Sequence, residues 1–434
     1  MARMPHPRAA EGQGPLCRVA TSLGIVVLCT TALAARALQT PIVSLSSVDT
    51  IRSKVLSETR IIRIALPVSY NTVAYATERY PLLIVLDAQN DLALAATIAN
   101  ARALAVAQAP VIPELIVVGV DTMRNRYRDT TLPPLDGTAQ PENDAGGAPR
   151  FSEFLTAELM PYLSIRYRTL NFVVVVGHSM TGSLATYLYG HSPTKIHAAV
   201  ALSPSLLWDF RGSRRPLLEG VRDRTTPGRF FIAASRGEDP EIADKARELV
   251  RELPSAESPT ASQFRELGAD SHANTWVQGV IDGLRFVFHP MSLAGTPMEA
   301  AYADPAQPSD AARVADAYAA VRQKYLAGAK SLGFPERMPF RFGYAVSQFA
   351  LIDDDNPNLA AAALPICEDI VRTYPSLWHG HECLGRASLV MGDRQAASHA
   401  FQEALRLAKR AQDVEGAGLA QEGLRAVARR RGAR

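Results

Sequence analysis

Residues 173–182 read Val-Val-Val-Val-Gly-His-Ser-Met-Thr-Gly, and this run constrains the chain more than any other. Four β-branched residues in succession make a short apolar strand of the kind that is buried on both faces of a sheet. The strand pattern stops at Gly177, and a helical pattern of Leu184, Ala185, Tyr187 and Leu188 follows Gly182. Ser179 therefore stands on a sharp strand-to-helix turn. Such a turn lifts a hydroxyl above the sheet and points a helix N-terminus at any oxyanion that develops there. The G-x-S-x-G form is incomplete, because Thr181 occupies the last glycine position and Gly182 comes one place later.

Strand patterns recur on both sides of this turn. Apolar or alternating stretches at residues 60–67, 80–87, 114–121, 198–202 and 229–234 read as strands. Helical patterns at 92–107, 150–167, 240–253 and 275–288 lie among them, and the polar, Pro- and Gly-rich segment 122–149 reads as a long loop. Strands alternating with helices predict a mostly parallel sheet covered by helices on both faces. Ligands of such sheets bind at the carboxyl ends of the strands, where Asp87, Asp121, Ser179 and Ser203 fall. This part is expected to span residues 44–292, with an Ala-, Pro- and Ser-rich linker over 293–310. Residues 311–434 read as all-helical. Leu384-Gly385, Ala397, Phe401 and Ala404 have tetratricopeptide spacing, and Ala363, Cys367 and Ile370 repeat it weakly 34 positions earlier. A plain bundle of helical hairpins is the alternative.

The formal charge of +3 over 434 residues argues against nucleic acid or an anionic membrane surface as partner. The N-terminus reads as an address. Arg3, Arg8 and Arg18 precede an apolar stretch at 23–33, and Ala32-Leu33-Ala34 and Ala35-Arg36-Ala37 both fit a signal cleavage site. Residues 1–37 are thus expected to be an export signal, which places the mature chain in the periplasm or outside the cell; an uncleaved membrane anchor is the alternative. Cys17 and Cys29 would leave with the signal. Cys367 and Cys383 would remain, either paired or as two buried thiols. His379, His381 and Cys383 lack a fourth metal ligand, so neither a metal nor another cofactor is expected.

A serine hydroxyl becomes a nucleophile only when a base takes its proton and a third group orients that base. In this fold the chain order is serine, acid, histidine. His272 lies in a loop after the last expected strand and before a helix, where that order places the base. Glu238 and Asp239 follow the strand at 229–234 and are the candidate acids, with a slight preference for Asp239. The backbone N–H of Met180, with that of Ala88 or Gln89, would form the oxyanion hole. Arg124, beside Arg126 and Arg128, could meet an anionic substrate, and Trp208 could wall a substrate pocket.

At these residues the chain resembles the esterase family of the α/β-hydrolase fold that includes enterochelin esterase and siderophore hydrolases. The stretches that carry the resemblance are Tyr80-Pro with Leu86-Asp87, residues 113–119, Arg128-Asp129, Gly146-Gly147 with Phe151, Gly177-His-Ser-Met, residues 201–209 and residues 282–288. They cover about residues 58–290 in the family's order. The resemblance implies hydrolysis of a small-molecule ester, with Ser179 as nucleophile and His272 as base. Acyl transfer is a related reading. Thr181 and Ala88 depart from the family's glycines. They motivate a second reading, in which a weakened hydrolase domain and the helical repeats bind a protein partner.

Overall fold

The computed structural model describes residues 45–72, 75–104, 111–136, 145–207, 214–253, 260–268, 271–293, 311–351 and 356–429. The export signal, residues 294–310 of the linker expected at 293–310, and Trp208 lie outside the described residues. An eight-stranded sheet organises the rest, in the order β1-β2-β4-β3-β5-β6-β7-β8. Its strands are β1 Leu45–Ser53, β2 Glu58–Ala65, β3 Tyr80–Leu86, β4 Ile116–Val120, β5 Thr169–His178, β6 Ala198–Leu202, β7 Gly228–Ser235 and β8 Thr260–Leu267. β2 runs antiparallel to both β1 and β4, and every pairing from β4 to β8 is parallel. All residues of β3, β4, β6 and β7 are buried, as the apolar runs require of strands covered on both faces.

Alternate side chains of these strands feed two cores. Leu82, Ile84, Val173 and Val175 pack on one side with Phe151, Phe154, Leu184 and Leu188. Leu83, Val85, Val174 and Val176 pack on the other with Leu92, Val280 and Leu284. The helix expected at 150–167 runs from Ala148 through Arg166, with Phe154–Leu159 wound as a π-helix. Two strands escape the sequence reading, β1 and β8. Both are edge strands with many polar residues, so the apolar alternation that marks a strand is weak in them.

Six helices follow among the described residues: Ala311–Ser331, Phe340–Ala350, Pro357–Thr373, Trp378–Val390, Arg394–Arg410 and Val414–Arg429. They do not hang free of the sheet. Val321, Tyr325, Phe334, Phe342 and Ile366 belong to the same core as Val174 and Phe288. The Phe172 and Phe334 rings lie 4.9 Å apart, and Arg337 pairs with Glu78 at 2.7 Å. Further along, Gly385 lies under Phe401, where a Cβ would meet the ring at 2.8 Å.

Cys367 and Cys383 form a buried disulfide between neighbouring helices, with Cα atoms 5.6 Å apart. The bond closes a short loop, with a sequence separation of 16. Replacing both cysteines by alanine is expected to cost about 3 kcal/mol. An unchanged denaturation midpoint would deny the bond a stabilising role.

Candidate active site

β5 ends at the elbow. Ser179 has φ 61° and ψ −122°, a conformation a non-glycine residue holds only when its surroundings impose it. The imposing contacts are clear. Ser179 N donates to Leu202 O at 2.9 Å, while Ser179 O accepts from Ser183 N at 3.1 Å and from Ser205 N at 3.2 Å. Gly177 is obligatory, because a Cβ there would lie 2.2 Å from Thr181 O. The helix Met180–His191 opens directly after Ser179.

The two departures from glycine are built into this site. Thr181 is fully buried; its Oγ1 accepts from His178 N at 2.9 Å and lies 2.8 Å from His178 O and 3.1 Å from Asp87 Oδ2. Its single proton serves one of those two acceptors at a time. Asp87, at φ 59°, also accepts from Arg126 Nε at 2.9 Å and from Thr122 Oγ1. Arg126 reaches His178 O at 3.3 Å as well. Asp87 immediately precedes Ala88 and Thr181 immediately follows Met180. When that proton goes to Asp87, one side-chain hydrogen bond links the two helix starts whose N–H groups were expected to meet an oxyanion. Both starts expose backbone donors, because first-turn N–H groups lack intrahelical partners. Ala88 also fits: its methyl fills the space over Gly119, where a second Cβ would stand 2.6 Å away. Thr181→Val keeps the shape and removes the hydroxyl. It is expected to cost about 1–3 kcal/mol through unanswered buried partners, measurable as a lowered unfolding midpoint.

The histidine arrives from the loop after β8. His272 Nδ1 lies 2.5 Å from Glu238 Oε2, and the Glu238 side chain is 2% exposed. The other carboxylate oxygen of Glu238 accepts from Ser235 N at 2.5 Å and from Ser203 Oγ at 2.7 Å. Ser203 Oγ is also 2.8 Å from Thr275 Oγ1, at the start of the helix Thr275–Val287. Glu238 is thus fixed by both the strand end and the neighbouring loop. The preference for Asp239 is corrected here. Asp239 caps the helix Pro240–Arg251 by accepting from Glu241 N at 3.0 Å, while Glu238 is the carboxylate that meets the imidazole.

His272 also meets the elbow directly. A carbonyl can only accept, so His178 must carry its proton on Nε2 and donate to His272 O, 2.8 Å away. The two imidazole rings are 4.6 Å apart, and burial holds the His178 pKa below its usual value. Ser179 Oγ lies 3.4 Å from Ser205 Oγ, in the loop after β6. Resting active sites often hold such bonds loose until substrate binds.

The other expected residues separate. Arg124 is exposed; Arg126 braces the elbow, and Arg128 pairs with Glu58 and Asp129. Gln89 is the second residue of the helix Ala88–Leu104, and both polar atoms of its side chain are buried without partners. Cys383 is committed to the disulfide, and His379 stacks on Trp378 with ring centroids 3.8 Å apart. No group of three metal-ligating side chains occurs among the described residues. The roles of Thr181, Thr122, Arg126 and Ser203 are not legible from spacing. Only the positions of Asp87 and Ser203 at strand ends hint at them.

The Shewanella oneidensis IroE-like serine hydrolase has a similar structure, with a TM-score of 0.55 and 22% identity over 73% of this chain and 98% of that one. An uncharacterised protein from Capnocytophaga ochracea covers more of the chain: TM-score 0.52 and 19% identity over 88% of this chain and 99% of that one. A siderophore hydrolase of Aspergillus nidulans, EstA, gives a TM-score of 0.47 and 16% identity over 55% of this chain and 93% of that one. No curated protein matches the sequence. The family model described as "Putative esterase" matches residues 53–282, more than half of the chain. The chain therefore belongs to this esterase family, and its ester-hydrolase character follows from that membership.

Proposed function

We propose that the protein is an exported serine esterase acting on a carboxylic ester through an acyl-enzyme. Ser179 is the nucleophile, His272 the general base and Glu238 the group that orients it. The observation that carries this reading is the Glu238–His272 pair, seated beside a serine held at positive φ on a strand-to-helix turn. The Nδ1–H of His272 faces a carboxylate, which leaves Nε2 as the basic nitrogen. The reading requires that rotation of the Ser179 side chain away from Ser205 bring Oγ to that nitrogen. Oγ then attacks the ester carbonyl as its proton passes to Nε2, and the carbonyl oxygen takes the negative charge. Backbone N–H groups of Met180 and of Ala88 or Gln89 stabilise that charge. Collapse expels the alcohol, which takes the proton from Nε2. Water then repeats the sequence on the acyl-enzyme and restores Ser179.

Export is the natural companion of the Cys367–Cys383 disulfide, since such bonds persist in oxidising compartments. A siderophore-like ester belongs to this reading, and a protein partner of the tetratricopeptide-like helices belongs to the second, in which the hydrolase domain is weakened. A fluorophosphonate probe tests its centre. The probe is expected to label the wild type covalently at Ser179 and to leave Ser179→Ala unlabelled. Equal labelling of both proteins would refute the nucleophile.

A further inference from the structure

His272 is held from two directions. Glu238 takes the ring, with its Oε2 2.5 Å from Nδ1. His178 takes the backbone: its Nε2–H donates to the His272 carbonyl oxygen at 2.8 Å. The segment that carries His272 has little packing of its own. Ser271, Ala273 and Asn274 are exposed, and no residue of the short helical turn His272–Asn274 is buried. Turns with so few buried contacts open at small cost. Burial resumes only at Thr275 and Trp276, where the following helix begins.

His178 stands on firmer ground. It is the last residue of β5, and its backbone pairs in register with Leu202 of β6. Its N donates to Thr181 Oγ1 at 2.9 Å, and its O accepts from Arg126 at 3.3 Å. The imidazole therefore projects from a fixed point, and the next residue along the chain is Ser179. One side chain thus ties the backbone of the elbow to a segment 94 positions away. Glu238 fixes the tautomer and tilt of the His272 ring, but a single contact at Nδ1 leaves the peptide behind that ring free to shift. The bond from His178 removes that freedom.

Resting on the serine-esterase reading, we propose that His178 is a positioning residue. Its Nε2–H sets the backbone of His272 relative to Ser179, and so aims the basic nitrogen of His272 at the nucleophile. The proton transfer is steep in geometry, since a misplacement of about 1 Å costs on the order of 10²-fold in rate. A ring that only filled space 4.6 Å from the His272 imidazole would be replaceable by any ring of similar size. A donor is not replaceable in that way.

The test compares three full-length variants with the wild type on p-nitrophenyl acetate, each beside its unfolding curve. His178→Phe keeps a ring and removes the donor, His178→Asn carries an amide too short to reach, and His178→Gln restores a donor near the place of Nε2. The phenylalanine and asparagine variants are expected to lower kcat by about 10- to 100-fold with KM within about twofold, because the bond acts on the base and not on the substrate. His178→Gln is expected to recover kcat to within about threefold of the wild type. The asparagine variant answers for phenylalanine if the latter does not fold. Unchanged kcat in the folded donor-less variants would overturn the proposal. So would a loss seen in KM alone, a glutamine variant as slow as the other two, or donor-less variants that both fail to fold. An inactive wild type removes the esterase reading and this inference together; an active wild type beside any of those four results removes the inference alone.

Discussion

Ser179→Ala and His272→Ala are each expected to lower kcat/KM on p-nitrophenyl acetate by about 10⁶-fold, and the double variant by no more than either alone. The equality follows from the roles. A hydroxyl without its base and a base without its hydroxyl are equally idle, so the second loss removes nothing further. What survives comes from the backbone donors at Met180 and at Ala88 or Gln89, which neither substitution touches. Losses that multiply in the double variant would mean that the two side chains act independently. The proposed pathway would then be wrong, although the fold and the family would stand.

Glu238→Ala is expected to lower kcat by about 10⁴-fold, while Asp239→Ala leaves the rate at the wild-type level. The carboxylates are adjacent in sequence, but the backbone turns between them. Glu238 reaches His272, Ser203 and Ser235, whereas Asp239 closes the first turn of the helix Pro240–Arg251. Asp239→Ala should instead cost about 1 kcal/mol of stability through the lost cap. Activity measured beside an unfolding curve separates the outcomes. A slow Asp239 variant with unchanged stability would reverse the assignment.

This pair also marks where sequence reasoning stopped. Val173–Val176 and the other parallel strands declare themselves, because a strand buried on both faces has nowhere to place a polar residue. Ser179 and His272 could be proposed from the sequence because chain order in this fold restricts where each can stand; the structure places Ser179 on the strand-to-helix turn and His272 against Glu238. Glu238 and Asp239 were not separable, since both lie at a strand end before a helix and capping favours an acid as much as catalysis does. Thr181 read as a defect in a motif. Only the tertiary structure brings Asp87, 94 positions away, into reach of its hydroxyl. Strands β1 and β8 were missed for the converse reason: edge strands are half solvated, and their polar residues blur the alternation.

The aromatic contacts between the sheet and the C-terminal helices limit how this protein can be shortened. Phe172 and Phe288 both rest on Phe334, and Tyr75 on Phe340. A protein cut after residue 293 would keep every group assigned to ester cleavage, yet it would present those rings to water. Such a fragment would clump or seek a surrogate cover, so a minimal catalyst cannot be obtained from this chain by truncation alone.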